Sequence, residues 1–305
     1  MPFRKLGDEN NLSPAQTYAR VIAELNQLPK NDWLTKTLCD PRRFCRILII
    51  DGKYIKVKDF SVRLPFIYGI DYLTHDIPYG DLYPTEDEMA FLDFFLKLRD
   101  LGYSPDIVVA DDRAGLKQAL NKVFPLARLQ LCHNHYLENI RKQLNIRTDD
   151  RFVHFFNSLR SHIFLNTTDE YSYQEAWKYV WKEHTQGIQG LQDILKDIDR
   201  RKTELFNYLK VKGAPNNTNL IELYNSHLNG RLKTIKGFQD IASAGRWLNA
   251  YLIRRRTKTL TDCEEKFKHL NKHCSLEFTI KKQASWPDAL TNLGIKRIKF
   301  YEKSD

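Results

Sequence analysis

The chain has 305 residues, 42% of them hydrophobic, and a formal charge of +10, enough for one large domain or two smaller ones. No apolar run approaches the roughly 20 residues of a membrane span. The opening MPFRKLGDENN lacks the apolar core of a secretory signal, and five scattered cysteines (Cys39, Cys45, Cys132, Cys263, Cys274) suggest no disulfide framework. Charge placement is more telling: Leu223 to Asp305 holds 17 Lys/Arg against 8 Asp/Glu, whereas residues 1–222 hold 31 against 30. A basic quarter joined to a neutral body is the footprint of a polyanion binder.

Ser13-Pro14-Ala15-Gln16 reads as a helix start, with Ser13 as cap and Tyr18, Val21, Ile22 and Leu25 as the apolar stripe. Arg46 to Asp51 is an apolar strand closed by an acid, and its unbroken Ile47-Leu48-Ile49-Ile50 run implies burial on both faces. A turn or bulge at Gly52 would lead into an alternating Lys53 to Val57. Leu64 to Ile70 is another strand, and Tyr79 to Leu82 a turn or short edge. Thr85-Glu86-Asp87-Glu88 has the form of a capping box; it opens a helix with the stripe Met89, Leu92, Phe95 and Leu96. The run Ile107 to Ala110 is a second buried strand, and it stops on Asp111 and Asp112. Leu116, Ala119, Leu120 and Val123 line the next helix. Ala127 to Leu131 is a strand running into Cys132-His133-Asn134-His135. A strand meander followed by alternating strands and helices predicts an α/β fold with a mixed sheet. A carboxylate at the end of a buried strand is costly unless a cation or hydrogen-bond donors meet it; the alternative is that Asp111 or Asp112 caps the following helix.

From Tyr136 to Lys212 the pattern is helical, with Phe152, Phe155, Phe156, Phe164, Tyr171, Tyr173, Trp177 and Trp181 at core spacing. Gly213 to Asn219 is a loop, and the helix after it carries Glu222 in its first turn. A basic turn through Arg231, Lys233 and Lys236 leads to a helix over about 241–256 that ends in Arg254-Arg255-Arg256. Leu276 to Ile280 is expected as one strand.

Three stretches, Asp51 before Gly-Lys, ADDRAGL…VFP…CHNHYLEN, and TNLIELYNSHLNGRLKTIKGF, together resemble mutator-like transposases, the DDE enzymes of bacterial insertion sequences and eukaryotic Mutator elements. The resemblance covers roughly 46–256. It implies a ribonuclease-H-like core in which three acids bind two divalent ions, Mg²⁺ or Mn²⁺. Carried over by motif, the acids are Asp51, Asp111 (four residues before Gly115-Leu116) and Glu222 (three after Asn219). Cys132 and His135 match the family's Cys-x-x-His and are expected beside the acids, near the scissile phosphate or a flipped base. The alternatives are a buried thiol and a satisfied imidazole with no role in the site, or a zinc pairing of Cys132 and His135 with His273-Cys274 or with Cys263 and His269.

The implied layout is an N-terminal helical segment over 1–45 and a catalytic core over 46–135 and 213–256. An α-helical insertion occupies 136–212, and a basic tail 257–305. The implied activity is DNA cleavage and strand transfer. Phosphate contacts are expected from Arg231, Lys233, Lys236, Arg246, Arg254, Arg255 and Arg256. The partners would be element ends and target DNA, bound by a homodimer or larger assembly in the cytoplasmic nucleoid of a bacterium or a eukaryotic nucleus. Only about 45 residues precede the first sheet strand, fewer than family members usually carry for end recognition. A nuclease without strand transfer and a domesticated DNA-binding protein are the competing readings.

Overall fold

The computed structural model describes residues 3–235 and 237–302. Five strands, β1 (Ile47–Ile55), β2 (Leu64–Asp71), β3 (Tyr79–Leu82), β4 (Ile107–Ala110) and β5 (Arg128–Leu131), form one sheet in the order β3-β2-β1-β4-β5. The first three pair antiparallel. β4 and β5 run parallel to β1. The all-apolar segments Ile47–Ile50 and β4 occupy the middle of the sheet, where both faces are covered.

Three helices come first: α1 (Phe3–Asn10), α2 (Pro14–Gln27) and α3 (Asn31–Leu38). Two more, α4 (Glu88–Asp100) and α5 (Leu116–Val123), connect the strands. A helical run follows β5: α6 (His133–Gln143), α7 (Val153–Ser158), α8 (Glu170–His184), α9 (Gln189–Arg200) and α10 (Lys202–Phe206). The chain continues with α11 (Asn219–Leu232), α12 (Ile241–Thr257), α13 (Ser275–Thr279) and α14 (Asp288–Asn292).

Strand side chains alternate between faces, and here the alternation builds two cores. Leu48, Ile50, Val108 and Ala110 face α4, α5 and the helices from α6 to α10. Ile47, Ile49, Ile107 and Val109 face α11 and α12, meeting Ile221, Tyr224, Leu228, Leu248 and Leu252. The helical run shares a continuous core with the sheet: Phe155, Phe164 and Tyr173 are buried in it, and Trp177 and Trp181 pack against it. Tyr171 is 77% exposed and takes no part.

Several local expectations are corrected. β1 runs unbroken through Gly52, because its long antiparallel pairing with β2 continues from Leu48 to Ile55. Asp87, not Thr85, caps α4, accepting a hydrogen bond from the Ala90 amide at 3.0 Å. Met89 is 70% exposed, and the buried stripe of α4 is Phe91, Phe94, Phe95 and Leu98. Residues 31–38 form α3, with Leu34 and Leu38 fully buried. The expected strand at Leu276–Ile280 is α13, which Cys274 and Glu277 cap at its start.

The third arginine of the Arg254–Arg256 run is not a surface contact. Arg256 is 0% exposed and forms a two-armed ion pair with the equally buried Asp76, at 2.7 and 2.9 Å. Its remaining nitrogen donates to Asn31 and Thr35 of α3, and Thr279 of α13 donates to Asp76. This cluster clasps α3, α12 and α13 onto the loop after β2, and every polar atom in it finds a partner, as burial requires.

Candidate active site

The parallel register sets the site. Ile49 pairs with Val109, and Val109 with Gln130. Two residues further along each strand, Asp51, Asp111 and Cys132 fall in a row across β1, β4 and β5. Period-two alternation directs all three to the face covered by α11. Asp111 and Cys132 directly follow the carboxyl ends of β4 and β5, and Asp51 lies mid-strand in β1, just past its Ile47–Ile49 pairing with β4, at the usual ligand edge of parallel strands.

Helix α11 supplies the other side. Thr218 at its cap, Glu222 and Asn225 lie at i, i+4 and i+7, one stripe of a helix. Thr218 Oγ1 lies 3.2 Å from Cys132 Sγ and donates to Glu222 Oε1 at 3.0 Å. Asn225 Nδ2 donates to Asp51 Oδ2 at 2.6 Å. His135, from the first turn of α6, stands between the other two acids. Its Nδ1 is 2.7 Å from Asp111 Oδ1, 3.8 Å from Glu222 Oε1 and 3.3 Å from Cys132 Sγ. The three acids, 60 and 111 residues apart in sequence, thus come together in the fold. Asp111 is mostly covered there, while Glu222 and His135 remain about half exposed.

The electrostatics are those of crowded carboxylates. Burial, reinforced by the Asp111 charge, pushes the Asp51 carboxyl up to about 6. The contact with Asp111 holds the His135 imidazole up at about 10, so the ring carries the positive charge that offsets its acidic neighbours. That contact is poorly directed, and Asp111 Oδ1 is a buried oxygen with no hydrogen-bond partner. Other buried acids of the chain contrast with it. Asp71 accepts bonds from Cys45, Arg46, Thr74 and Tyr103, and Asp76 is saturated by Arg256 and Thr279. A buried carboxylate oxygen held only by one poorly directed contact to His135, beside two further carboxylates, fits a hard cation. Asp111, Cys132 and His135 also place one ligand atom each within 4.8 Å of one another.

Neither Asp111 nor Asp112 caps a helix. Helix α5 starts at Leu116, after Gly115 at φ 79°, so that alternative fails. Asp112 turns away into an ion pair with Arg201. The expected zinc partners lie elsewhere: His273 pairs with Glu277 at 2.7 Å, and the only such cluster among the described residues is the one with Asp111. Of the expected phosphate contacts, Arg231, Lys233 and Arg254 are exposed. Arg255 lies 4.2 Å over the Tyr224 ring, and with Arg231 and Lys258 it adds to the burial that lowers the His227 pKa. Arg246 lines a separate cleft of about 490 Å³ with Asp32 and Asp81. Lys236 falls outside the described residues.

The sequence profile described as "Transposase, Mutator family" matches residues 14–259. The chain belongs to the Mutator family of transposases. It is 24% identical over 214 residues to the transposase for insertion sequence element ISRM5 of Rhizobium meliloti (strain 1021), covering 68% of this chain and 52% of that one. It is 25% identical over 254 residues to the transposase for insertion sequence element IS256 in transposon Tn4001 of Staphylococcus aureus, covering 79% of this chain and 62% of that one. This Mutator-family chain therefore spans between half and two thirds of the length of these relatives. A chain of the simian T-cell lymphotropic virus intasome, in complex with PP2A regulatory subunit B56 gamma, overlaps 60% of this chain and 68% of its own. At a TM-score of 0.25 and 13% identity, that likeness carries no weight for fold or site.

Sequence reasoning missed four side chains of this Mutator-family site. Thr218 and Asn225 flank Glu222 at helical spacing, a signal present in the sequence. Glu86 and Arg113 were not foreseeable: Glu86 accepts from Tyr54 at 2.6 Å and pairs with Arg113 at 3.5 Å, behind Gly52. A pocket of about 260 Å³ opens beside Asp111, lined by Arg113, His135, Tyr136 and Asn139.

Proposed function

We propose that this chain is the catalytic part of a DNA transposase that cleaves and joins strands by the DDE mechanism on a ribonuclease-H-like core. The observation that carries the reading is the convergence of Asp51, Asp111 and Glu222: the Asp111 charge acts on Asp51, and His135 Nδ1 bridges Asp111 at 2.7 Å and Glu222 at 3.8 Å. The sheet order β3-β2-β1-β4-β5, with only β1 to β3 antiparallel, supports the ribonuclease-H-like core.

Asp51, Asp111 and Glu222 would hold two Mg²⁺ or Mn²⁺ ions. Bound there, these would stabilise charge on the attacking and leaving oxygens of a phosphodiester displacement. The chain's own groups do the rest. The Gly52 amide fixes one Asp51 oxygen at 2.8 Å, and Thr218 fixes Glu222. His135 carries a positive charge at the edge of the opening, where the scissile phosphate must come. Arg231, Lys233, Arg254 and Arg255 form the basic margin beyond Glu222 that holds the DNA backbone. In the first step water attacks phosphorus at the element end and a 3′ hydroxyl leaves. In the second that hydroxyl attacks a target phosphodiester, so one bond forms and one breaks each time. The partners are element ends and target DNA, bound by a dimer or larger assembly. The bacterial relatives favour the nucleoid as its location.

The test is incubation with Mg²⁺ or Mn²⁺, end-labelled DNA from the flanks of the gene and a target plasmid. Joined product is expected; nicks without joining would replace strand transfer with a nuclease reading. Asp111→Asn should abolish cleavage and leave DNA binding intact. Cleavage at the wild-type rate by that variant would remove Asp111 from the mechanism.

A further inference from the structure

The row Asp51, Asp111, Cys132 crosses three neighbouring strands, a span of about 9.5 Å at ordinary strand spacing. The stripe Thr218, Glu222, Asn225 rises about 10.5 Å over seven residues of helix. The two lengths match, and the pairs meet end to end: Thr218 on Cys132, Glu222 toward His135 and Asp111, Asn225 on Asp51. Asn225 is also held from behind. Tyr68, fully buried and directly opposite Asp51 in the antiparallel ladder, donates its hydroxyl to Asn225 Oδ1 at 2.9 Å. A phenol that donates to the amide oxygen turns the amide nitrogen toward the carboxylate. Asn225 is 7% exposed, so water offers little competition for either bond.

We propose that Asn225, oriented by Tyr68, is a positioning residue that locks the Asp51 carboxylate and fixes the distance from Asp51 to Glu222. The amide keeps one Asp51 oxygen bonded while the Gly52 amide keeps the other, so the carboxylate is held against rotation beside Asp111. Because Asn225 and Glu222 share one turn of α11, the bond also prevents the helix from sliding along the row. The inference rests on reading Asp51 as a metal ligand.

Free Mn²⁺, followed by its electron paramagnetic resonance signal, titrates the site without DNA or turnover. Asn225→Ala should weaken Mn²⁺ binding by about tenfold or more, the usual effect of removing a partner that orients a metal ligand. Tyr68→Phe, which removes one hydroxyl from an otherwise apolar core position, should weaken it less but in the same direction. Cleavage by both should recover as Mn²⁺ is raised. A merely destabilising change would lower the bound fraction without moving the midpoint, and that result would overturn the proposal, as would wild-type Mn²⁺ affinity in both variants. Asp51→Asn separates the two ideas. If it abolishes binding while the Asn225 and Tyr68 variants bind normally, the positioning role fails and the metal reading stands. If Asp51→Asn binds normally, both fall.

Discussion

Asp71, Asp76 and Asp111 follow or join apolar strands, yet of the three only Asp111 has a buried oxygen that accepts no well-directed hydrogen bond, its neighbour being His135 Nδ1 at 2.7 Å. Burial of an acid is tolerable when donors surround it, so the first two are saturated by hydrogen bonds, and the third relies on a single ionic contact. The same distinction separates the arginines of the 254–256 run. Arg256→Ala should destabilise the fold by about 3–5 kcal/mol, because it strands the buried Asp76 charge. DNA affinity per folded molecule should be unchanged, as read from urea unfolding and filter binding on the same preparations. Arg231→Ala should do the reverse, leaving stability alone and lowering the slope of log affinity against log salt by about one. The three adjacent arginines read alike in sequence. Helical rotation of 100° per residue then sends one to solvent, one onto the Tyr224 ring and one into the core.

At the scale of elements, the turn between β4 and α5 carries Asp111 to its place. Gly115 has φ 79°, and a Cβ there would come within 2.5 Å of the Glu88 backbone. Both the left-handed backbone and the close approach to α4 exclude a side chain. Gly115→Ala should therefore cost about 1–3 kcal/mol of stability, measured by the denaturant midpoint. It should also depress cleavage beyond what the folded fraction explains, since relief of the clash shifts the loop that bears Asp111. A wild-type midpoint would contradict the close packing of α4 on this turn. Strand and helix identities around the site were legible because apolar runs and capping residues are local signals. The register of β1 against β4 was not, since all-apolar strands buried on both faces carry no inside–outside alternation that would single out one offset.

For the whole molecule, two buried histidines link stability to pH. Burial holds the His75 imidazole down at about 4, with nearby Arg255 and His269 adding to the effect. Burial likewise holds His133 at about 4, where its Nε2–H donates to the Leu205 carbonyl at 2.6 Å. In the unfolded chain both would titrate near 6.5. The stability they lend is complete above pH 6.5 and is lost as pH falls toward 4, by about 1.4 kcal/mol per pH unit for each ring within that window. Asp51, held up at about 6, takes up its proton in the folded state and opposes one of these rings between pH 6 and 4, so the share of His75 is read as the difference in unfolding midpoints between wild type and a variant over pH 7 to 4. His75→Asn, an exchange that suits the φ of 58° at this position, should reduce the slope. An unchanged slope in that variant would mean that His75 is not the group responsible.

Local chemistry, written in the sequence, determined that this chain builds acid-terminated apolar strands, a long helical segment and a basic final quarter, while the choice of Asp51, Asp111 and Glu222 came from the family resemblance of its motifs. Hydrophobic periodicity and helix caps act over a few residues, so they survive without knowledge of the fold. Tertiary structure alone decided which side chains complete the site and which arginine is buried. Asn225, Thr218 and Tyr68 acquire their meaning only when α11 is laid across the ends of β1, β4 and β5. Contacts between residues more than a hundred positions apart depend on register and helix rotation, which no short stretch of sequence specifies.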